Sequence, residues 1–236
     1  MKKQCEPGHG DQEQDHPQRL LPPYYAALDT RPGIAPARVA QWQEIEPIVQ
    51  ATEPGAPIRM RSRVSPDDAT ALMADIAALR PLVDVLIVSV HWGYGRGDPL
   101  AEYQRPFGQA IIEAGADMVL GNHSHSPAGL ELHHGKPILY SLGNHIAQQD
   151  RAGATPLQAE IFSHIDPWST ICRIDMDATG IRGIEFRATE CSAEGLPLLI
   201  EDPAQAQGVL APLRHLSHAY GTELEIDGNA ARIAFP

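Results

Sequence analysis

The chain has 236 residues, of which 43% are hydrophobic, so it is long enough to bury a substantial core. It carries 30 acidic residues against 18 Lys and Arg, a formal net charge of -12 at pH 7, which disfavours nucleic-acid binding because that needs a clustered basic surface. No apolar run approaches the roughly 20 residues of a membrane-spanning helix.

The N-terminal residues 1–19 are polar and rich in Gln, Glu, Asp and His, which predicts a disordered arm. They contain no apolar core of a signal peptide, so the chain as written is expected in the cytoplasm. A membrane-associated or extracellular location stays open if the N-terminus is incomplete. Residues 20–236 are expected to hold the folded part.

Two helices are expected in the first third of the chain. Residues 38–50 predict a short helix that is broken at Pro47. The next helix has a stronger start, because Ser65 can cap it, Pro66 suits its first position and two acidic residues follow. Its apolar pattern ends at Pro81.

A strand–helix–strand unit is predicted in the middle of the chain. The run VDVLIVSV at 83–90 is apolar and β-branched, which favours a strand buried on both faces. A helix is expected over 105–114, with Gly115 at its C-terminal end. The next strand is DMVL at 117–120, and this order predicts a right-handed parallel crossover.

Hairpins are predicted in the C-terminal half. Residues 130–133 and 137–142 flank a short turn, which indicates a first hairpin. Residues 151–167 show no periodicity and are expected to form a loop. A second hairpin is predicted from 170–177 and 181–187.

The C-terminal residues 203–220 predict a helix in two pieces, because Pro212 interrupts the pattern. Two short strands near Leu224 and Ile233 close the chain. The order of elements is typical of an α/β or α+β layered fold.

Three histidines follow the two predicted parallel strands. His91 comes directly after VLIVSV, and His123 and His125 come directly after DMVL. Ligand sites in open α/β sheets lie at the carboxyl ends of the strands, so these imidazoles are expected to converge. Neutral imidazole is a common ligand of divalent transition metals. The sequence therefore predicts a metal site formed by His91, His123 and His125.

Three further residues are weaker candidates. Asn122 and Asn144 each follow a glycine and precede a histidine, and either amide could orient a ligand or contact substrate. Trp92 stands beside His91 and is a candidate of the same kind. His133 and His134 are expected in an exposed turn with no function.

These residues resemble the signature of CapA-type proteins, a family tied to poly-γ-glutamate capsule synthesis. The strings HWG at 91–93, GAD at 115–117, HSH at 123–125 and YSLGN at 140–144 match it in order and spacing. The family is similar to calcineurin-like metallophosphoesterases. The resemblance implies a metallophosphoesterase-like sandwich of mixed sheets flanked by helices, with a divalent ion (Mn, Zn or Fe) as cofactor.

The N-terminal motifs of that superfamily, an Asp-x-His and a Gly-Asp-x-x-Asp, are not recognisable here. The resemblance therefore implies that residues 20–236 are the C-terminal part of a CapA-like domain with an incomplete metal site. Three neutral histidines bring no negative charge to offset two cations, so we expect poor hydrolysis or none. Whether the chain is an enzyme stays open at this point.

Three functions follow from the resemblance and the residues. The first is an accessory protein in the biosynthesis of poly-γ-glutamate or a related capsule or cell-wall polymer, with the synthesis proteins or the anionic polymer as partners. The second is a metal-dependent hydrolase of phosphoester or γ-glutamyl amide bonds. The third is an inactive, truncated remnant.

Overall fold

A computed structural model describes residues 37–44, 59–93, 99–146, 153–163, 165–177, 180–192 and 194–235. The chain divides into two compact units, Met1–Asp68 and Ala69–Pro236. The predicted arm at residues 1–19 lies outside the described residues. Within the described residues, no helix has the length and apolarity that crossing a bilayer requires.

The first unit contains an antiparallel pair, β1 (Val39–Glu44) and β2 (Arg59–Val64). The helix predicted over 38–50 is therefore wrong at 39–44. Pairing with β2 satisfies the backbone groups of this segment, and its sequence VAQWQE includes β-branched and aromatic residues that favour a strand. A tertiary partner thus overrode a weak local preference.

The helix predicted after Ser65 is confirmed as α1 (Pro66–Leu79). Asp67 and Asp68 lie in its first turn, where the positive end of the helix dipole favours carboxylates. A short 3-10 turn at Arg80–Leu82 follows and contains Pro81, the residue expected to stop the helix.

The second unit holds a four-stranded sheet in the order β3-β4-β6-β5. Its strands are β3 (Ile87–His91), β4 (Met118–Asn122), β5 (Leu130–His133) and β6 (Lys136–Leu139). β3 and β4 are parallel, as are β4 and β6, whereas β5 and β6 form an antiparallel hairpin. The parallel pair and the hairpin were both predicted from sequence, and both are confirmed.

Helix α2 (Gln104–Glu113) connects β3 to β4, and Gly115 follows it with φ of +122°. The sequence predicted that the strand before this helix, β3, is buried on both faces, and this prediction is wrong. β3 lies at an edge of the sheet and alternates between exposed and half-buried residues, with Ile87 41% exposed. Because α2 packs against β4 and β6, one face of β3 is left open.

A five-stranded antiparallel sheet follows, with the order β10-β11-β8-β7 and β9 paired to β8. Its strands are β7 (Trp168–Asp177), β8 (Gly180–Cys191), β9 (Pro197–Leu199), β10 (Glu225–Asp227) and β11 (Ala230–Ala234). The predicted second hairpin and the two closing strands are confirmed.

The predicted loop over 151–167 is wrong, because it contains helix α3 (Pro156–Ser163). A reciprocal capping box starts this helix. The Gln158 amide N–H donates to Thr155 Oγ1 at 3.3 Å, and the Thr155 N–H donates to Gln158 Oε1 at 2.9 Å. The T-P-L-Q string that encodes it was visible in the sequence but was not recognised.

The predicted break at Pro212 is also wrong, because α4 (Pro203–His218) is continuous. Pro212 lies on the exposed side of the helix and removes a single intrahelical hydrogen bond. The opposite side carries buried Val209, Leu210 and Leu213, and their packing stabilises the helix across the proline.

A hydrophobic core cluster of the second unit is shared by both of its sheets and α4. It includes Met118 of β4, Leu130 of β5, Phe186 of β8 and Leu210 of α4, all almost fully buried. The edge of β5 that pairs with no strand is covered by α4 and the residues that follow it. Two backbone amides of β5 donate to buried hydroxyl groups there, Leu130 to Ser217 at 3.2 Å and Leu132 to Thr222 at 2.9 Å. The predicted α/β class with mixed sheets is confirmed.

Candidate functional site

The carboxyl ends of β3 and β4 bring three histidines together. The parallel register places His91 beside Asn122, and His123 and His125 follow immediately. The His91 and His123 ring centroids are 4.2 Å apart, and those of His123 and His125 are 5.5 Å apart. All three are exposed. These residues, here named the strand-end cluster, converge as expected, and their role as metal ligands stays a prediction.

The backbone of the cluster is held in an unusual conformation. His123 has φ of +93° and His125 has φ of +57°, both in the left-handed region that non-glycine residues rarely adopt. Each such residue costs on the order of 1–3 kcal/mol, and such strain is concentrated at functional sites. Ser124, between the two histidines, is buried, and the His123 ring lies between those of His91 and His125.

Two asparagines fix the outer histidine rings. His91 Nδ1 lies 2.7 Å from Asn122 Oδ1, and His125 Nδ1 lies 2.8 Å from Asn144 Oδ1. Asn144 Nδ2 donates to the His125 carbonyl at 3.2 Å, so its amide oxygen faces the ring. Nδ1 of His125 is therefore the donor in this contact, and in a neutral ring the lone pair is then on Nε2, where a metal ion would bind.

The central ring, His123, is biased toward its neutral form. Burial lowers the pKa of His123 below its usual value, and the neighbouring His91 and His125 lower it further, because a second or third positive charge would be repelled. A neutral imidazole is the form that ligates a metal.

Trp92 braces the cluster from below and is only 4% exposed. Its indole N–H donates to the Tyr140 carbonyl at 3.1 Å, and its ring stacks on the Tyr140 ring. Its own carbonyl accepts from the Tyr103 hydroxyl at 2.8 Å. This burial favours a positioning role for Trp92 over contact with substrate.

Two glycines allow the site loops to approach. A Cβ on Gly121 would lie 2.2 Å from Trp92 Nε1, and one on Gly93 would lie 2.1 Å from the Ser124 nitrogen. Real Cβ contacts are never this short, so larger residues would force the backbone apart. These glycines let the loops after β3 and β4 lie directly against each other.

The loop carrying Asn144 is anchored to the other sheet. The Ser169 hydroxyl and the Thr170 amide of β7 both donate to the Leu142 carbonyl, at 2.7 and 2.9 Å. Gly143 follows with φ of +87°. The antiparallel sheet thereby fixes the position of the amide that orients His125.

A buried carboxylate supports the site from behind, and sequence reasoning missed it. Glu131 is 4% exposed and accepts from Arg105 at 2.9 Å, from Gln109 at 2.7 Å and from the Tyr140 hydroxyl at 2.8 Å. Burial alone would raise the Glu131 pKa, but these donors lower it below its usual value. The signal was a lone acid on the inward face of the apolar strand LELH.

A second set of ligand-type side chains lies elsewhere on the sheet. Within the described residues, Glu113, His133 and His134 are the group whose ligand atoms all lie within 4.8 Å of one another. His133 Nε2 lies 2.9 Å from Glu113 Oε1. The strand-end histidines are spread more widely than this in the described chain, so side-chain rotation would be needed to close them around an ion.

Comparison with known proteins identifies the family of the chain. The family of the bacterial capsule synthesis protein PGA_cap matches residues 12–149, which is more than half of the chain. The chain belongs to the PGA_cap family. The match contains every residue of the strand-end cluster and both asparagines, whereas the five-stranded sheet lies beyond it.

Individual relatives of this PGA_cap chain match over shorter segments. A probable polyglutamine synthesis accessory protein of Mycobacterium tuberculosis is 36% identical over 94 residues, which is 40% of this chain and 25% of the relative. The PGA biosynthesis protein CapA of Bacillus subtilis is 33% identical over 86 residues, 36% of this chain and 23% of the relative. The chain thus matches about a quarter of the length of these relatives.

The donor set of this PGA_cap chain fits a divalent transition metal. The Asn144 contact leaves Nε2 of His125 as the ring nitrogen free to accept a ligand bond, and His123 is biased toward its neutral form. An outer hydrogen bond that fixes the tautomer is the usual environment of a metal-bound imidazole. Manganese, zinc and iron all accept such ligands.

Proposed function

We propose that this chain acts as an accessory protein in the biosynthesis of poly-γ-glutamate or a related anionic capsule or cell-wall polymer. The observation that carries the proposal is the convergence of His91, His123 and His125 at the exposed carboxyl edge of a parallel strand pair. Membership of the PGA_cap family and the names of the relatives support the same function. Polyglutamate-synthesis proteins are the expected partners.

The charge of the chain limits how it can hold such a polymer. With a net charge of -12, the protein repels a polyanion over most of its surface. A favourable contact therefore needs a local cation. His91, His123 and His125 would hold a divalent ion, which when bound supplies the positive charge that pairs with a carboxylate or phosphate.

The residues around the cluster would keep it ready for this role. Asn122 and Asn144 hold the His91 and His125 rings with the Nδ1 edge turned away from the ligand. Trp92 and the Tyr140 backbone support the loops from below. The three rings are exposed, so an ion held by them would be open to contact by an extended polymer.

A binding measurement tests the proposal. Labelled poly-γ-glutamate would be titrated into the purified chain with Mn²⁺ and again with a chelator, using wild type, His123→Ala and His215→Ala as a control on the exposed side of α4. We expect Mn²⁺-dependent binding that weakens at least about tenfold in His123→Ala and is unchanged in His215→Ala, because loss of a ligand costs at least as much as loss of its outer partner. Equal binding by wild type and His123→Ala would contradict the proposal.

A metal-dependent hydrolase is the second candidate, favoured by the strained backbone of His123 and His125. The same proteins would be assayed with a phosphodiester and with a γ-glutamyl anilide in the presence of Mn²⁺. Three neutral histidines offer no charge to hold a second cation, so we expect turnover no greater than that of His123→Ala. Turnover that depends on His123 would favour the hydrolase over the accessory role.

A further inference from the structure

We propose that Glu113, His133 and His134 form a separate zinc-binding site, here named the turn cluster. Their ligand atoms lie within 4.8 Å of one another. Two imidazoles and a carboxylate are a donor set that zinc binds, with water completing the coordination. Nothing in the proposed polymer-related function requires this site.

The turn cluster lies at the opposite end of the sheet from the strand-end cluster. Lys136, the first residue of β6, donates from Nζ to the Ala116 carbonyl at 2.9 Å, which places the hairpin turn beside the start of β4. Glu113 ends α2 on this same side, whereas His91 and His123 lie at the far ends of β3 and β4. The two clusters therefore cannot share an ion.

The distances suit a small ion after a modest adjustment. Ligand atoms about 2.0–2.2 Å from zinc lie about 3.5 Å apart in a tetrahedral arrangement. His133 Nε2 and Glu113 Oε1 are 2.9 Å apart in a hydrogen bond, so a bound ion would replace the proton between them and move the two atoms slightly apart. The His133 and His134 ring centroids are 4.3 Å apart. His134 is exposed, so rotation of its side chain can complete the set.

The hairpin turn fixes the position of His134. His134 and Gly135 form the two-residue loop of the β5–β6 hairpin, with φ of +52° and +73°. A turn with both φ values positive most often carries Asn-Gly or Gly-Gly, and histidine is among the few other residues that tolerate this conformation. The turn therefore holds the His134 side chain beside His133 at the end of the hairpin.

The Lys136 ammonium group, next to the turn, does not occupy the position of the proposed ion. Lys136 Nζ is held 3.1 Å from Asp117 Oδ1 and 2.9 Å from the Ala116 carbonyl. Its charge is thus committed to Asp117. An ion bound by the turn cluster would tie the end of α2 to the hairpin, and binding to the folded state alone would raise the unfolding temperature.

Zinc titration by calorimetry tests the site on the full chain. The variants are His134→Asn and Glu113→Gln, with His215→Asn as a matched exposed control. Asn tolerates the left-handed conformation, so His134→Asn keeps the turn. We expect wild type and His215→Asn to bind one more equivalent of zinc than His134→Asn, and Glu113→Gln to weaken that equivalent at least about tenfold.

The same equivalent should persist in His123→Ala, and zinc should raise the unfolding temperature of wild type more than that of His134→Asn. Unchanged zinc binding in both His134→Asn and Glu113→Gln would overturn the proposal. So would loss of this equivalent in His123→Ala, because the ion would then belong to the strand-end cluster.

Discussion

Orientation of single side chains decides whether the strand-end cluster can bind metal. Asn144 is the clearest case, because its amide contacts both the ring and the carbonyl of His125. The hydrogen bond to Nδ1 fixes the tautomer, and the bond to the carbonyl fixes the amide. Together they make Asn144 a positioning residue that need not touch the ion.

Asn144→Ala should therefore weaken metal binding although it removes no ligand. We expect a loss of about 10–100-fold in affinity for Mn²⁺ or Zn²⁺, since outer partners of metal-bound histidines contribute on this scale. Calorimetric titration would measure it. Asn229→Ala is the control, because Asn229 also donates from its amide, to the Glu201 carbonyl at 3.2 Å, in a remote turn. An equal affinity in Asn144→Ala and wild type would show that Asn144 does not position His125 for metal binding.

Glu131 is a second example at the scale of a single residue, and its effect is on the stability of the fold. Removing its charge weakens the charge-assisted hydrogen bonds that Glu131 accepts, and the Arg105 side chain, 47% exposed, stays solvated. Glu131→Gln should therefore lower the free energy of unfolding by about 1.5–3 kcal/mol at pH 7. The folded pKa of Glu131 lies below the ordinary value of 4.5, so its contribution is full above that pH and is lost as the pH falls through the folded value.

The difference between wild type and Glu131→Gln should therefore shrink below about pH 4.5. Urea unfolding at pH 7 and pH 3.5 measures it. Glu201→Gln serves as the control, because Glu201 is 71% exposed in its pair with Arg187 and should matter by less than about 1 kcal/mol. A difference that stays constant down to pH 3.5 would show that the Glu131 charge does not stabilise the fold.

At the scale of elements, close approach of β4 to its neighbours supports the site. A Cβ on Gly121 would meet the Trp92 ring at 2.2 Å and the Tyr140 carbonyl at 2.3 Å. Gly121→Ala should lower the free energy of unfolding by about 3 kcal/mol, at the upper end for overpacking, because a backbone carbonyl cannot rotate away. Chemical denaturation measures this loss of stability, and metal titration of the folded protein shows whether the site is weakened with it.

Gly208→Ala is the matched control for this change. Gly208 lies on the exposed side of α4 with nothing within 4 Å of an added Cβ. Alanine there should raise the free energy of unfolding by about 0.5–1 kcal/mol, because it restricts the unfolded chain and favours the helix. If Gly121→Ala proved as harmless as Gly208→Ala, the close packing of β4 on Trp92 would not support the site.

Elements with clear local signals were predictable from sequence, whereas those decided by long-range contacts were not. The convergence of His91, His123 and His125 follows from strand order alone, because parallel strands end on one edge. The continuity of α4 through Pro212 depends on core packing, and the open face of β3 depends on where α2 packs. Neither is encoded in a local pattern.

The residues that support the strand-end cluster and the members of the turn cluster were hidden for the same reason. Tyr140 and Glu131 meet because the β5–β6 hairpin folds back on itself, and Glu113 meets His133 across 20 residues of chain. The sequence shows each residue type but not these pairings. The capping box at Thr155 is different, because its string was present and was simply overlooked.

At the scale of the whole molecule, the chain combines a mixed sheet that carries the site with an antiparallel sheet that anchors it. Leu142 links the two through its contacts with β7. The PGA_cap match covers the mixed sheet and not the antiparallel sheet of β7 to β11. The antiparallel sheet therefore contributes to the site indirectly, by fixing the loop that presents Asn144.

Metal content of the purified chain tests the central claim most directly. Wild type and His123→Ala would be saturated with Mn²⁺ or Zn²⁺, desalted and analysed by mass spectrometry, in the native background and in His134→Asn, which removes the turn cluster. The account predicts that His123→Ala loses about one equivalent of metal in both backgrounds, since a site of three ligands does not hold its ion after losing the central one. Equal metal content in wild type and His123→Ala in the His134→Asn background would contradict it.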